Sequence, residues 1–509
     1  MTSKTPRQRT AQAVVWQGFV GSMLLLMGSL GVGWLASSSP LIRTPLLIAA
    51  RTTPAAVVVC TLLLCLGAAL LLHAWLRLYQ HLAPFGKESR GTLLKALALW
   101  TAPMMVALPL FSRDSYAYIG QGRLMQEGLN PYTNGISSLN NYFNLGPDAL
   151  WAEAPTPYGP LWLWLEQFAV WMANGSAELA LIPFRLASLL GVVLLAIYVP
   201  KLAERHGLNP QWALWLTVLN PALLINFVAS VHNDSLMLGL VVAGLYYASA
   251  KHPLLGILFV TASIAIKPIT LIALPFVGLL WAGAHANWVR KFGIWAATLA
   301  ISMGLMAAMG VANGHGFGWL GALQTPGTVW IWYAPVGLLS NTVGFAMTLL
   351  CLDGAPTTGV IQKIGQAASI LLVIALALVK VGPGPSGGLG EQLPEDQRFS
   401  KAVLRRMAWA FAAVVLLAPM IQPWYMIWLL AFFTVTGIRD GWQLRTAMYL
   451  TAFFMAIALT DQLSIFPWIP VVLVRVVAIS ASVLGLGYVL FLDKNTRTLF
   501  RTVKATAKS

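Results

Sequence analysis

Long apolar runs, broken by short polar or basic segments, set the pattern of this chain from end to end. Runs near 14–36, 54–76, 93–111, 179–199, 210–230, 235–249, 254–266, 269–284, 292–311, 364–380, 404–418, 424–438, 445–460 and 467–491 have the length of a membrane helix or of part of one. They predict an all-α polytopic membrane protein, a bundle of about 12–14 transmembrane helices. Val14 to Ala36 is too long for the apolar core of a signal peptide and lacks a small-residue cleavage site, so it reads as the first span. Two stretches fit less well. Gly159 to Ala173 carries Trp162, Trp164 and Trp171 and reads as an interfacial or re-entrant helix in the headgroup belt. Ala334 to Leu350 also reads as re-entrant. Pro268 splits 253–284 into two short halves, and interrupted helices often border a site.

Composition changes the picture only by hardening it. The 509 residues are 58% hydrophobic and 9% charged, against about 25% charged in soluble domains. The net charge of +16 is therefore a topology signal and no argument for nucleic acid. With Lys4, Arg7 and Arg9 in the cytoplasm, Arg77, Lys87, Arg90, Lys201, Arg205, Lys251, Arg290, Lys291, Arg405, Arg406, Arg439, Arg445 and the basic tail fall on the same side. Cys60, Cys65 and Cys351 lie in or beside apolar runs and give neither a disulfide framework nor a metal spacing. The chain reads as one membrane domain, 1–509, with an outer loop at 112–158 and a Gly/Pro-rich cytoplasmic linker at 381–403.

This topology gathers the unusual polar residues on the outer side. The loop 112–158 carries Arg113, Asp114, Arg123, Glu127, Asp148 and Glu153. The same side receives Val231-His232-Asn233-Asp234, Lys267-Pro268, Asn313-Gly314-His315, Gln324-Thr325-Pro326-Gly327, Gln422-Pro423-Trp424-Tyr425 and Asp461-Gln462. An outward-facing catalytic or transport cavity is expected. A carboxylate at a membrane exit, as Asp114 is, is costly unless it has a task; Ser112 or Asp114 also suits a helix cap. Asp234, just before an apolar run, suits a cap as well. His232 and Asp234, two apart on a turn, lack the spacing of a metal motif. Lys267 reads as a snorkelling side chain or as a cation meeting a lipid phosphate. Arg185 reads as a structural ion pair or a second phosphate contact, and Arg475 has no assigned role. The many Trp and Tyr suit a membrane belt, and their faces also suit stacking on sugar rings.

Several blocks carry a resemblance. Ser112-Arg113-Asp114-Ser115-Tyr116-Ala117-Tyr118, Gly128-Leu129-Asn130-Pro131-Tyr132, Thr156-Pro157-Tyr158-Gly159-Pro160-Leu161-Trp162, Val231-His232-Asn233-Asp234-Ser235-Leu236-Met237, Lys267-Pro268 and Gln422-Pro423-Trp424 spread over about residues 110–430. Together they resemble the actinobacterial polyprenol-phosphomannose-dependent α-(1→6)-mannosyltransferases of the GT-C class. The combination is specific; any one block alone is not. The resemblance implies a multi-span fold with a catalytic Asp in the first large outer loop. Many GT-C members carry an acidic pair there, whereas Asp114 stands without an adjacent acid, which weighs against a metal-binding pair.

The resemblance further implies a donor, polyprenyl phosphomannose, and an acceptor, a lipid-anchored α-(1→6)-mannan as in lipomannan. Asp114 is the implied general base, with inversion at the anomeric carbon. Lys267, Arg113 and Arg185 are the candidates for the leaving phosphate. Tyr116, Tyr158, Trp424 and Tyr425 are candidates for a sugar platform, and His232, Asn233, Asp234 and Gln422 for orienting donor or acceptor hydroxyls. No cofactor and no divalent metal are expected, and membrane lipids are the expected surroundings in the plasma membrane. Two alternatives stay open: a flippase or transporter of lipid-linked sugars, and a GT-C enzyme using another polyprenyl-phosphate sugar. Whether the mannan backbone is started or extended also stays open.

Overall fold

The structure is a computed structural model that describes residues 6–321, 330–380, 393–439, 441–461 and 463–500. Among these residues there are helices and turns and no strand. The expected Gln324-Thr325-Pro326-Gly327 turn, Gln462, most of the 381–403 linker and the end of the basic tail lie outside them.

Among the described residues, six helices are long and apolar enough to cross a membrane: Thr10–Val32, Pro54–Leu82, Ala177–Arg205, Trp288–Ala312, Gly354–Leu378 and Val471–Leu492. A seventh candidate is a bent pair, Pro210–Val218 and Pro221–Ala229, meeting at 44°. The bend has a local cause: Pro221 cannot supply the N–H that would continue the first half. Asn220 caps the second half by accepting the Ala222 N–H, while its amide donates to Leu216 and Thr451. Five shorter apolar helices, Asp234–Ser249, Pro253–Ile264, Pro268–Ala282, Pro335–Leu349 and Tyr425–Thr436, fill the bundle. The helices Ser89–Val106, Glu395–Leu417 and Trp442–Asp461 coincide with further expected runs.

The expected linker 381–403 is shorter than its composition suggested, because the helix Glu395–Leu417 begins inside it. Glu395 and Asp396 in its first turn favour the helix there, as acidic groups complement the positive end of the helix dipole. The 93–111 run ends early as a helix, at Val106. The stretch 159–173 is a 14-residue helix, Pro160–Ala173, packed on Asp114–Gln126. Pro335–Leu349 forms a hairpin with Gly354–Leu378.

Packing against the first helix shows how the bundle closes. A Cβ added at Gly21 meets the Gly67 carbonyl at 2.8 Å, and one added at Gly67 meets the Gly21 carbonyl at 2.6 Å. Small residues at both positions let two apolar backbones approach where lipid offers no hydrophobic drive. Trp75 and Trp215 stack 4.7 Å apart, and each indole N–H donates to the other's carbonyl at 2.9 Å.

Hydrogen bonds between distant connections define two ends of the bundle. At one end Trp34 N–H donates to Pro109, Leu110 to Ala229, Gly159 to Ile266, Ile331 to Pro419 and Ser464 to Val32. At the other, Asn209 bonds Phe85, Lys401 bonds the His206 carbonyl, Arg205 pairs with Asp396 and Gln80 bonds Asn495. The first end gathers the motif-bearing turns into one place.

Candidate active site

An open cavity at the first end is lined by Arg113, Asp114, Tyr158, Lys267, Gln422, Trp424 and Tyr425 among others. Three local breaks build it. Phe111 adopts φ 63°, a rare conformation for a bulky residue. It turns the chain out of the membrane just before Asp114. Ser112 Oγ accepts the Asp114 N–H at 3.0 Å. Ser112 thus satisfies one free amide at the start of the Asp114–Gln126 helix, whose N-cap is Arg113, and the Asp114 carboxylate faces the cavity with 20% of its side chain exposed.

The second break lies between Pro253–Ile264 and Pro268–Ala282. Lys267 is extended (φ −142°, ψ 111°), so carbonyls at the end of the first half lose their helical partners. The loop at 159–162 satisfies them: Gly159 N–H donates to Ile266, and Leu161 and Trp162 N–H donate to Ala265. A Cβ at Gly159 would lie 2.6 Å from the Ala265 carbonyl, so glycine is required for this approach. The contact fixes Tyr158 beside Lys267.

The third break is the turn at 230–233. Val231 sits at φ 60°, an outlier for a β-branched residue and the kind of strain that collects at functional sites. It turns His232 inward. His232 is fully buried, its Nδ1 lies 2.5 Å from the Asn226 carbonyl, and its ring packs 3.9 Å from that of Trp424. Its Nε2 lies 3.6 Å from Asp114 Oδ2.

The charges are arranged in a definite order. Lys267 Nζ donates to both oxygens of buried Asp234, at 3.0 and 2.8 Å, and the rings of Tyr158, Tyr425 and Trp428 surround it at 5.6–5.9 Å. An ammonium has three N–H donors, so one remains for the cavity. This is not a snorkelling side chain. The Arg113 guanidinium lies 3.7 Å over the Trp34 ring and its Nε has no hydrogen-bond partner. Burial pushes the Asp114 carboxyl above the usual carboxylate range; Lys267 and Ser112 oppose this and Asp148 adds to it. Burial lowers His232 to about 4, so its ring is neutral near neutral pH.

Five expected site residues fall outside the cavity lining. Tyr116 points the other way, and its hydroxyl donates to the Trp34 carbonyl at 2.8 Å; it is structural and no sugar platform. Arg185 is also corrected. Its Nη1 donates to Met104 O at 3.0 Å and its Nη2 to Ala107 O. It thus satisfies carbonyls that the end of Ser89–Val106 leaves open, and it does not reach the cavity lining. His232, Asn233 and Asp234 form a layer behind the wall. Asn233 N–H donates to the Tyr118 hydroxyl at 3.3 Å, and both polar atoms of its side chain are buried without partners.

Sequence reasoning gave no role to Asp148, Trp151, Tyr333 or Asp461, all of which line the cavity. Asp148 brings a second acid to Asp114 from further along the loop; its Oδ1 accepts the Leu150 N–H at 3.0 Å. Among the described residues no three His, Cys, Asp or Glu side chains converge as metal ligands.

An all-helical, polytopic membrane protein with three carboxylates and two cations lining one end cavity has the layout of a membrane-embedded transferase. The chain belongs to the α-(1→6)-mannopyranosyltransferase family. The family's N-terminal domain matches residues 15–283 and the MptB C-terminal domain matches residues 395–487. A probable α-(1→6)-mannopyranosyltransferase of Mycolicibacterium smegmatis is 32% identical, over 84% of this chain and 79% of its own. α-(1→6)-Mannopyranosyltransferase A of Mycobacterium tuberculosis is 30% identical, over 81% of this chain and 78% of its own. The B enzyme of Corynebacterium glutamicum is 27% identical, over 86% and 75%. No solved structure matches the chain.

Proposed function

We propose that this mannosyltransferase moves mannose from polyprenyl phosphomannose to the 6-hydroxyl of a lipid-anchored α-(1→6)-mannan, with inversion. The observation that carries the reading is the Asp114 carboxylate facing the cavity, with Lys267 and Arg113 on the same lining. Asp114 takes the acceptor hydroxyl's proton as oxygen attacks the anomeric carbon. The bond to phosphate breaks on the opposite face, and the growing negative charge meets the Lys267 ammonium and the Arg113 guanidinium. Tyr158, Trp424 and Tyr425 offer aromatic faces, and Gln422 an amide, to the sugars. The relatives carry mannopyranosyltransferase names, and that favours mannose over another sugar and a transferase over a flippase.

A second cavity supports the lipid donor. It is an apolar groove along Tyr425–Thr436, lined by Trp409, Met426, Leu430, Phe433 and Phe454, and it shares Pro423 with the first cavity. In this reading the polyprenyl chain lies there. Leu430→Trp fills the groove and raises the KM for a long-chain donor by about tenfold, the scale of two lost methylene contacts. The KM for a short-chain donor moves much less. Equal changes for both donors would remove the chain from this groove.

The cavity belongs on the outer face of the plasma membrane and both termini in the cytoplasm. Arg205 and Lys251 pair with Asp396, and Arg405 bonds the Gly437 carbonyl, at the opposite end from the cavity, and cytoplasmic loops are enriched in Lys and Arg.

The test is stoichiometric. Purified protein given donor and a short α-(1→6)-mannoside releases one polyprenyl phosphate for each mannose transferred. The same rate after chelation is expected, because a lipid monophosphate leaving group is met here by two side-chain cations. Loss of activity restored by Mg²⁺ or Mn²⁺ would give Asp114 and Asp148 a metal to hold. Movement of intact donor across a bilayer without release of polyprenyl phosphate would make the protein a flippase.

A further inference from the structure

We infer that His232 is the positioning partner of Asp114: a neutral imidazole, locked as the Nδ1–H tautomer, whose Nε2 lone pair receives the O–H that Asp114 acquires from the acceptor. The inference rests on the reading of Asp114 as the base.

The tautomer follows from geometry. Nδ1 lies 2.5 Å from the Asn226 carbonyl, and a carbonyl only accepts, so Nδ1 carries the hydrogen. In the neutral ring Nε2 is then an acceptor. It faces Asp114 Oδ2 at 3.6 Å and has no other hydrogen-bond partner. A carboxylate and a lone pair facing each other have no proton between them and do not attract. Once Asp114 is protonated, the same two atoms form an O–H···N hydrogen bond. The arrangement therefore favours the protonated form of Asp114, the form the reaction produces. The separation is slightly long for a hydrogen bond, as is common before substrate binds.

The ring has little freedom to do anything else. It is fully buried, packed against Trp424 at 3.9 Å, and aimed by the strained Val231 turn. The charged and titratable groups around it are Asp114 and Tyr118 from the Asp114–Gln126 helix, Asp234 from its own turn, Lys267 from the broken helix, and Tyr425 beside Trp424. Lys267 opposes a positive charge on the ring and Asp234 favours one; each is already engaged by the other at 2.8 Å.

The step balances simply. The acceptor O–H bond breaks as its oxygen bonds the anomeric carbon, and an O–H bond forms on Asp114. The carboxyl turns that O–H onto Nε2. The leaving phosphate departs with the electron pair of the broken C–O bond. The proton reaches water through Asp114 when the cavity empties, since His232 itself has no exposure.

His232→Phe keeps a ring against Trp424 and removes the acceptor. Losing one hydrogen bond to the protonated base lowers kcat by about tenfold, with donor and acceptor KM little changed. Because Nε2 favours protonated Asp114, its removal lowers the Asp114 pKa. The acid limb of the kcat/KM profile therefore moves to lower pH. His232→Gln, which can present an amide oxygen, recovers part of kcat and moves the limb back. Both variants are measured per folded protein, with monodispersity and thermal unfolding recorded in detergent. An acid limb that moves to higher pH would mean that Nε2 donates to the carboxylate, and an unmoved limb would leave His232 a packing residue; either overturns the inference. Asp114→Asn run in parallel separates the cases. If that variant is active, the base reading itself fails; if it is inactive while His232→Phe behaves as wild type, only the role of His232 fails.

Discussion

Replacing Asp114 by Asn lowers turnover by about 10²-fold or more, the scale of a lost general base, in a protein that folds as before. The substitution keeps the shape of the side chain. The backbone hydrogen bond to Ser112 is made by the residue's N–H, so the helix start survives. What is lost is the carboxylate lone pair that takes the acceptor's proton. The same assignment fixes a pH dependence. Burial raises the Asp114 carboxyl, so kcat/KM falls on the acid side through a pKa above the ordinary carboxylate range, as protonation removes the base. An acid limb at or below the ordinary carboxylate value, or near-normal turnover in the Asn variant, would take the proton-accepting role away from Asp114.

The second large effect concerns Lys267 and Asp234. Asp234 is fully buried and holds Lys267 through both carboxylate oxygens. Lys267→Met strands a buried carboxylate, and breaking such a pair costs about 3–5 kcal/mol. It also removes a cation from the cavity wall. The variant therefore loses thermal stability and binds donor more weakly, with a smaller effect on acceptor. Replacing both partners, as Lys267→Met with Asp234→Leu, is expected to restore much of the stability, because apolar residues of similar size often substitute for a buried pair at little cost. Activity does not return, since the cation is still missing. Thermal unfolding and donor KM measured on the single and double variants separate the two roles. A double variant that regains turnover would reduce the pair to a structural bridge.

The class of fold was legible because apolar runs of helix length cannot be hidden in a sequence of this composition. Pro268 marked the helix break, and Lys267 beside it became part of the cavity wall. Asp114 stood out as a carboxylate at a membrane exit. Side-chain direction was harder to read. Tyr116 lies two residues after Asp114, about 200° round a helix, and so faces away, whereas Tyr118, four residues on, shares the face of Asp114. That periodicity was present in the sequence and would have separated the two tyrosines. Arg185 was misread for a different reason. Nothing in its own helix tells which neighbouring carbonyls lie open, and the early end of Ser89–Val106 supplied them. Asp148, Tyr333 and Asp461 come to the cavity from separate segments. Only tertiary packing brings them together, and no local spacing announces it. The strain at Phe111 and Val231 is likewise invisible without a backbone.

The central claim is that the Asp114 carboxylate facing this cavity drives mannosyl transfer from a polyprenyl phosphate. The most direct measurement gives purified protein in detergent radiolabelled polyprenyl phosphomannose and a short α-(1→6)-mannoside, with Asp114→Asn alongside. Label in a mannoside one unit longer with the wild-type protein, and label left on the lipid with the variant, is the predicted result. Label left on the lipid by both proteins, each shown to be folded, would contradict the account.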